Sequence, residues 1–212
     1  MRWFAMGVLA SLCAACATPA PPDAAPTTAQ SVGPVDPVRI DRVRSQVPDG
    51  YEVTSYTGPP SPITLWGMGD GPVADPPECL ALAVPPVDPT TTRGWSASGP
   101  GGIIYAVVAA TTGPTDVDCP RWELTSTRSS ATVTAIPAPA LTAARSDGMK
   151  TEARTVVEGG TETHTHADTF VAHLDGHLGL VTVVTDPGAT HPPLTTDFAA
   201  DLFAETVAAL RS

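Results

Sequence analysis

Apolar residues recur along this chain in two rhythms, one helical and one alternating, separated by breaks rich in Gly and Pro. Ile40, Val43 and Val47 fall at helical spacing and predict a helix over 38–47, with Arg39, Asp41, Arg42 and Arg44 mostly off its apolar side. Pro48-Asp49-Gly50 stops that helix and turns the chain. Residues 51–56 alternate and predict a strand. Residues 57–75 are dense in Gly and Pro and read as a loop around Leu65 and Trp66. Pro76-Pro77-Glu78 opens a short helix through Ala83, with Asp75 as its N-cap and Cys79, Leu80 and Ala83 toward the core.

The rest is β-rich. Strands are predicted at 94–98, 101–111, 122–126 and 131–136, with a turn or short helix at 114–120 that carries Cys119. Residues 101–111 are almost continuously apolar through Ile103, Ile104, Tyr105, Val107 and Val108, as a central strand requires. Segments 152–157, 163–173 and 178–185 read as three successive antiparallel strands, joined at Gly159-Gly160 and at a tight Asp175-Gly176 hairpin. Thr195 or Thr196 caps a closing helix over 197–210, whose buried stripe is Phe198, Leu202, Phe203, Val207 and Leu210. Runs of strands with helices at the ends predict the α+β class: one antiparallel β-sheet packed with a few helices, including a C-terminal one.

The first residues follow neither rhythm. Arg2 is followed by an uncharged, mostly apolar stretch from Trp3 to Leu12 and then by Cys13-Ala14-Ala15-Cys16. That is the layout of a secretory signal peptide, here 1–15, cut before a lipidated Cys16. Its apolar run is about half the twenty residues of a spanning helix. The acyl chains on Cys16 are then the membrane anchor, and the protein is expected on the extracytoplasmic face of the cell membrane. Cys13 stands where a lipobox has Leu, and Ala15-Cys16-Ala17 also fits ordinary cleavage, so plain secretion is the alternative. Residues 16–36, rich in Pro, Ala and Thr, read as a disordered tether, and 37–212 as one domain.

Charge narrows the partners. The chain carries 22 acidic and 11 basic residues; without Arg2 the balance is 10 minus 22, or -12. An acidic chain with no basic stripe is not a nucleic-acid partner. Arg outnumbers Lys ten to one, Asn is missing, and Ala, Pro and Thr abound, which points to a high-GC genome such as an actinobacterium's. Once Cys13 and Cys16 are set aside, Cys79 and Cys119 remain as an even pair in an oxidising compartment, and a disulfide is expected. Two buried thiols are the alternative. A metal site is disfavoured because neither cysteine has a ligand at close spacing.

Candidate chemistry is sparse. His164 and His166 would share one strand face with Asp168, a His-x-His-x-Asp set able to hold a metal for assisted hydrolysis, or to act as an acid-pH switch. The competing reading is an exposed sheet face. No Gly-x-Ser-x-Gly elbow accompanies the serines, and Ser96-Ala97-Ser98-Gly99 fits a strand border better than a nucleophile. Gly67-Met68-Gly69-Asp70-Gly71 neither follows a strong strand nor opens a helix, so it does not read as a dinucleotide fingerprint, and no cofactor is expected. Trp66, Trp95 and Trp122 either line a ligand groove or anchor the core.

Several segments carry a resemblance: Ile40-Asp41-Arg42-Val43-Arg44, Pro48-Asp49-Gly50-Tyr51-Glu52-Val53, Ala74-Asp75-Pro76-Pro77-Glu78-Cys79, Gly94-Trp95-Ser96-Ala97-Ser98-Gly99, residues 155–161 and residues 170–187. Through them nearly everything from residue 37 onward resembles a family of mycobacterial lipoproteins of unknown function. More loosely, the order of elements is similar to the extracellular sensor domain of the PknH-type receptor kinase. The latter resemblance implies an α+β domain with a groove for an unidentified ligand, although this chain has two domain cysteines where the kinase sensor has four, and no kinase. Neither family supplies a catalytic residue. The function expected is therefore a non-catalytic, sensor-like envelope module that binds an unknown envelope ligand or protein, with the metal-assisted hydrolase through His164 and His166 as the alternative.

Overall fold

The computed structural model describes residues 33–69 and 71–212. The expected signal peptide, Cys16 and nearly all of the expected tether lie outside the described residues, as does Asp70. Nine strands form one antiparallel sheet in the order β1-β3-β4-β9-β8-β7-β6-β5-β2. They are β1 (Glu52–Ser55), β2 (Val73–Asp75), β3 (Arg93–Gly99), β4 (Gly102–Ala110), β5 (Arg121–Thr125), β6 (Ser129–Ile136), β7 (Arg145–Val156), β8 (Glu162–Leu174) and β9 (His177–Thr185). The helices are α1 (Pro62–Leu65), α2 (Leu80–Ala83) and α3 (Thr196–Arg211). The fold is thus α+β and mostly sheet.

Both sheet faces are packed, by different elements. On one face α3 and a 3-10 helix, Pro37–Gln46, cover β3, β4, β9 and the inner end of β8. Ile40 and Val43 are buried there beside Trp95, Phe170 and Phe203. The segment 38–47 is expected as an α-helix on its spacing. In a 3-10 helix residues i and i+3 eclipse, and that places Ile40 directly above Val43 on the sheet. Thr195 caps α3 by accepting the Phe198 N–H, and Leu202, Phe203, Val207 and Leu210 form the buried stripe, with Phe198 at its margin. The ends of the fold meet: the Asp36 N–H donates to the Leu210 carbonyl at 2.8 Å, and Arg42 donates to Ser212 Oγ at 2.9 Å.

On the other face α1, α2 and their flanking turns cover the sheet from β4 and β9 through β8 to β5. Cys79 and Cys119 form the disulfide across a sequence separation of 40. Two local expectations fail here. Residues 57–75 are not all loop: Ile63, Leu65 and Trp66 dock α1 on the sheet, and β2 adds an edge to β5, a tertiary pairing that three residues cannot announce. Asp75 does not cap a helix; it ends β2 opposite Glu123, and a short 3-10 turn, Pro77–Cys79, leads into α2. Residues 114–120 are irregular and are held by the disulfide and by Arg145. β7 begins at Arg145 rather than 152, because Ser146, Asp147 and Gly148 disguise a strand whose cross-strand partners define it. Gly148 is required where β6 passes, since a Cβ there would lie 2.6 Å from the Ile136 carbonyl oxygen.

The two Gly-rich turns explain each other. Tyr51 lies against Gly99, and its hydroxyl accepts the Gly101 N–H at 2.9 Å. Gly102 then enters β4 at φ +136°, and a Cβ there would meet the Val184 carbonyl oxygen at 2.3 Å. No helix among the described residues is long and apolar enough to cross a membrane.

Candidate functional site

The helices leave half of one sheet face bare. On the α3 side of the sheet, α3 and the 3-10 helix stop at β8; Ile136 and the β6–β7 connection pack against the same core, and the face continues uncovered over β5 and over β6 and β7 from Thr134 and Lys150 outward. The register aligns three rows of side chains across it. Thr125, Ser130, Arg154 and His164 form the outermost row. Glu123, Thr132, Glu152 and His166 form the next. Arg121, Thr134, Lys150 and Asp168 form the third, nearest α3. Alternation makes this face: Trp122, Leu124, Val133 and Thr151 point through the sheet into the opposite core.

Charges on the face are largely tied to each other. The Arg154 guanidinium grips Glu162 with both Nε, at 2.7 Å, and Nη2. That hydrogen bond holds the Glu162 carboxyl below the usual carboxylate range and raises Arg154 above its ordinary value. Thr132 Oγ1 donates to both Glu123 oxygens. Lys150 Nζ lies 2.9 Å from Asp168, whose second oxygen accepts from Thr196 Oγ1 at 2.6 Å, beside the start of α3.

Two open hollows flank the Arg154–Glu162 pair. One, of 440 Å³, lies between the β5–β6 turn and the β7–β8 turn and is lined by hydroxyl side chains, Arg128, Arg154, Val156, Val157 and Glu158. The other, of 550 Å³, is lined by Glu162, His164 and the Asp186-Pro187-Gly188 turn. Arg128 makes no ion pair among the described residues.

The residues singled out by sequence separate into three places. His164 and His166 are exposed, on one face of β8 as the alternation requires. Asp168, the third member of the metal set, is already held by Lys150 and Thr196. Among the described residues no three His, Cys, Asp or Glu side chains gather to hold a metal. The tryptophans do not converge. Trp66 and Trp122 lie together in one core, ring centres 6.4 Å apart, and Trp95 lies in the other, beyond the sheet. All three are nearly inaccessible, at 3%, 2% and 0%. Trp66 Nε1 donates to Thr169 Oγ1 at 2.9 Å, and Trp95 Nε1 donates to the Ile40 carbonyl at 3.1 Å. Ser96 sits in β3, its hydroxyl bonded to that of Thr54.

His173 has charged company of a different kind. Its Nε2 lies 2.7 Å from Asp147 and 2.8 Å from Arg145, which also reaches the carbonyl of Thr115 and the carboxylate of Asp116. This cluster fastens the disulfide-bearing loop to β7 and reads as a structural clasp. Sequence reasoning overlooked Arg128, Arg154 and the hydroxyls of β5 and β6. Their signal was the strict alternation in Arg-Trp-Glu-Leu-Thr and Ser-Ala-Thr-Val-Thr, which marks an outward polar face without saying what covers it.

The profile of a family described as "Domain of unknown function (DUF5642)" matches residues 36–211. No curated protein matches the chain. Among solved structures it is similar to an uncharacterised protein of Mycobacterium smegmatis, described as an Rv0999 ortholog, with a TM-score of 0.60 and 19% identity. The likeness covers 84% of this chain and 98% of that one, and at this identity it shows a shared fold. Neither match is to an enzyme family.

Proposed function

The chain belongs to this family of unknown function, and on that premise we propose that it is an exported, lipid-anchored binding module of the cell envelope that uses the bare half of its sheet and performs no catalysis. The observation that carries the reading is the exposed three-row face with its two hollows. A stretch of sheet left uncovered where the rest of both sheet faces is packed is where a ligand or partner gains contact without unfolding anything. The arrangement is also poor for catalysis, since Arg154 is paired with Glu162 and Lys150 with Asp168, and the buried tryptophans supply no substrate pocket.

Export and anchoring rest on the charge and hydropathy of residues 1–16. The mycobacterial, sensor-like reading rests on the resemblance of the sequence segments. The experiment is direct. Fluorescently labelled full-length chain is tested against arrays of envelope lipids and glycans, beside a Ser130→Tyr variant that fills the outer row. Specific retention by the native chain and its loss in the variant are expected. Retention unaffected by Ser130→Tyr would remove the bare face as the binding surface. Mass spectrometry of native material, expected to find a diacylated or triacylated Cys16 as the first residue, tests the anchor. An intact Met1 would refute it.

A further inference from the structure

Resting on that reading, we propose that the outer row and its hollows take an acidic carbohydrate: an oligosaccharide of several sugar units bearing carboxylate or a similar anionic group. Four features define the class. Arg128 presents a guanidinium that makes no ion pair among the described residues, in a chain whose net charge is -11. Guanidinium recognises carboxylate through a planar fork of N–H donors. Arg154 lines the same hollow and is preoriented by Glu162, which occupies only one N–H of Nε and one of Nη2 and leaves the rest of the fork available.

The remaining lining discriminates among anions. Glu158 lies in the hollow with Arg128. Its carboxylate repels any anionic group set against it but accepts from a sugar hydroxyl, so a ligand that places its acid group at Arg128 and its hydroxyls at Glu158 fits where a bare phosphate or a nucleic-acid strand does not. Thr125, Thr127 and Ser130 add hydroxyls that both donate and accept, the pattern a polyol complements. Val156 and Val157 add an apolar surface, with Val157 41% exposed, against which the C–H face of a sugar ring can lie. The row from Thr125 to His164 crosses three inter-strand spacings, about 14 Å. It joins the two hollows, so the fit is to an oligomer rather than a single sugar.

The test is calorimetric titration of the full-length chain with trigalacturonate, neutral maltotriose and inorganic phosphate. Binding of trigalacturonate at least tenfold tighter than of either control is expected, weakening as salt is raised. Arg128→Ala should reduce that affinity at least tenfold, Arg128→Lys should restore part of it, and Glu158→Gln should improve phosphate binding. Each residue is at the surface, so unchanged thermal melts identify variants that remain folded. Equal binding of maltotriose, insensitive to Arg128→Ala, would overturn the acidic class while keeping the face as a site. Failure of all three probes, with array ligands still lost on Ser130→Tyr, would also overturn the carbohydrate class alone. Array ligands indifferent to both Ser130→Tyr and Arg128→Ala would defeat the site and the inference together.

Discussion

Replacing Cys79 and Cys119 together by Ala should cost this domain about 4 kcal/mol of stability. The figure follows from chain entropy. A bridge across a separation of 40 removes about 13 cal/mol/K from the unfolded ensemble, or about 4 kcal/mol at 25 °C. For a domain of this size that lowers the melting temperature by roughly 8–16 °C. The bridge sits in the core, so the Ala pair also deletes buried sulfur. Reduction of the native protein separates the two contributions, because it opens the loop and keeps the atoms. Guanidinium unfolding followed by tryptophan fluorescence is the assay. The reduced protein should lose about 4 kcal/mol and the Ala pair somewhat more, and the denaturant slope should rise as the freed unfolded chain expands. Hydrogen exchange should quicken first in α2 and in 112–120, which the bridge joins. A loss below about 1 kcal/mol on reduction, with an unchanged slope, would refute the entropic argument.

Other consequences can be checked on the same instruments. Trp95→Phe should destabilise by about 2–4 kcal/mol, since it removes the Nε1 hydrogen bond to the Ile40 carbonyl and opens a void, and exchange should accelerate in the 3-10 helix 37–46. Gly102→Ala should cost more than about 2 kcal/mol, because a strained φ coincides with a clash against β9, whereas Gly176→Ala, at φ +66° with open space, should cost about 1 kcal/mol; equal losses in urea melts would mean that the clash relaxes freely. Burial raises the pKa of both Tyr105 and Tyr56 above 10.0, with Tyr105 adding to the shift at Tyr56. The folded state therefore holds these protons more tightly than the unfolded one, and stability intact below pH ~10 should fall as pH rises past it. Tyr105→Phe should flatten that alkaline loss in stability-versus-pH curves, and an unchanged slope would contradict the assignment.

How much was legible in the sequence depended on whether a signal was local. β4, β8, β9 and α3 declare themselves through continuous apolar runs, strict alternation or a capped stripe, and each lies within a residue or two of where that signal puts it. β2 and the first half of β7 do not. Val73-Ala74-Asp75 is a strand only because β5 lies beside it, and Arg145 to Lys150 only because β8, joined from Gly148 by β6, lies beside it. The candidate site was hidden for a related reason. Arg128 and Arg154 are separated by a whole hairpin, and nothing short of the strand order places them around one hollow. The tryptophans show the converse: three rare side chains invite a common purpose, yet the sheet itself stands between Trp95 and the other two.

The junction of Asp36 with Leu210, and of Arg42 with Ser212, has a mechanical meaning. Tension arriving through the segment before residue 33 reaches the sheet by way of the 3-10 helix and the last turn of α3, loading side-chain packing and a few hydrogen bonds. The β4–β9 and β8–β9 ladders are strained only after that clasp yields. Under load the domain should part first at this seam, with the nine-stranded sheet still zipped.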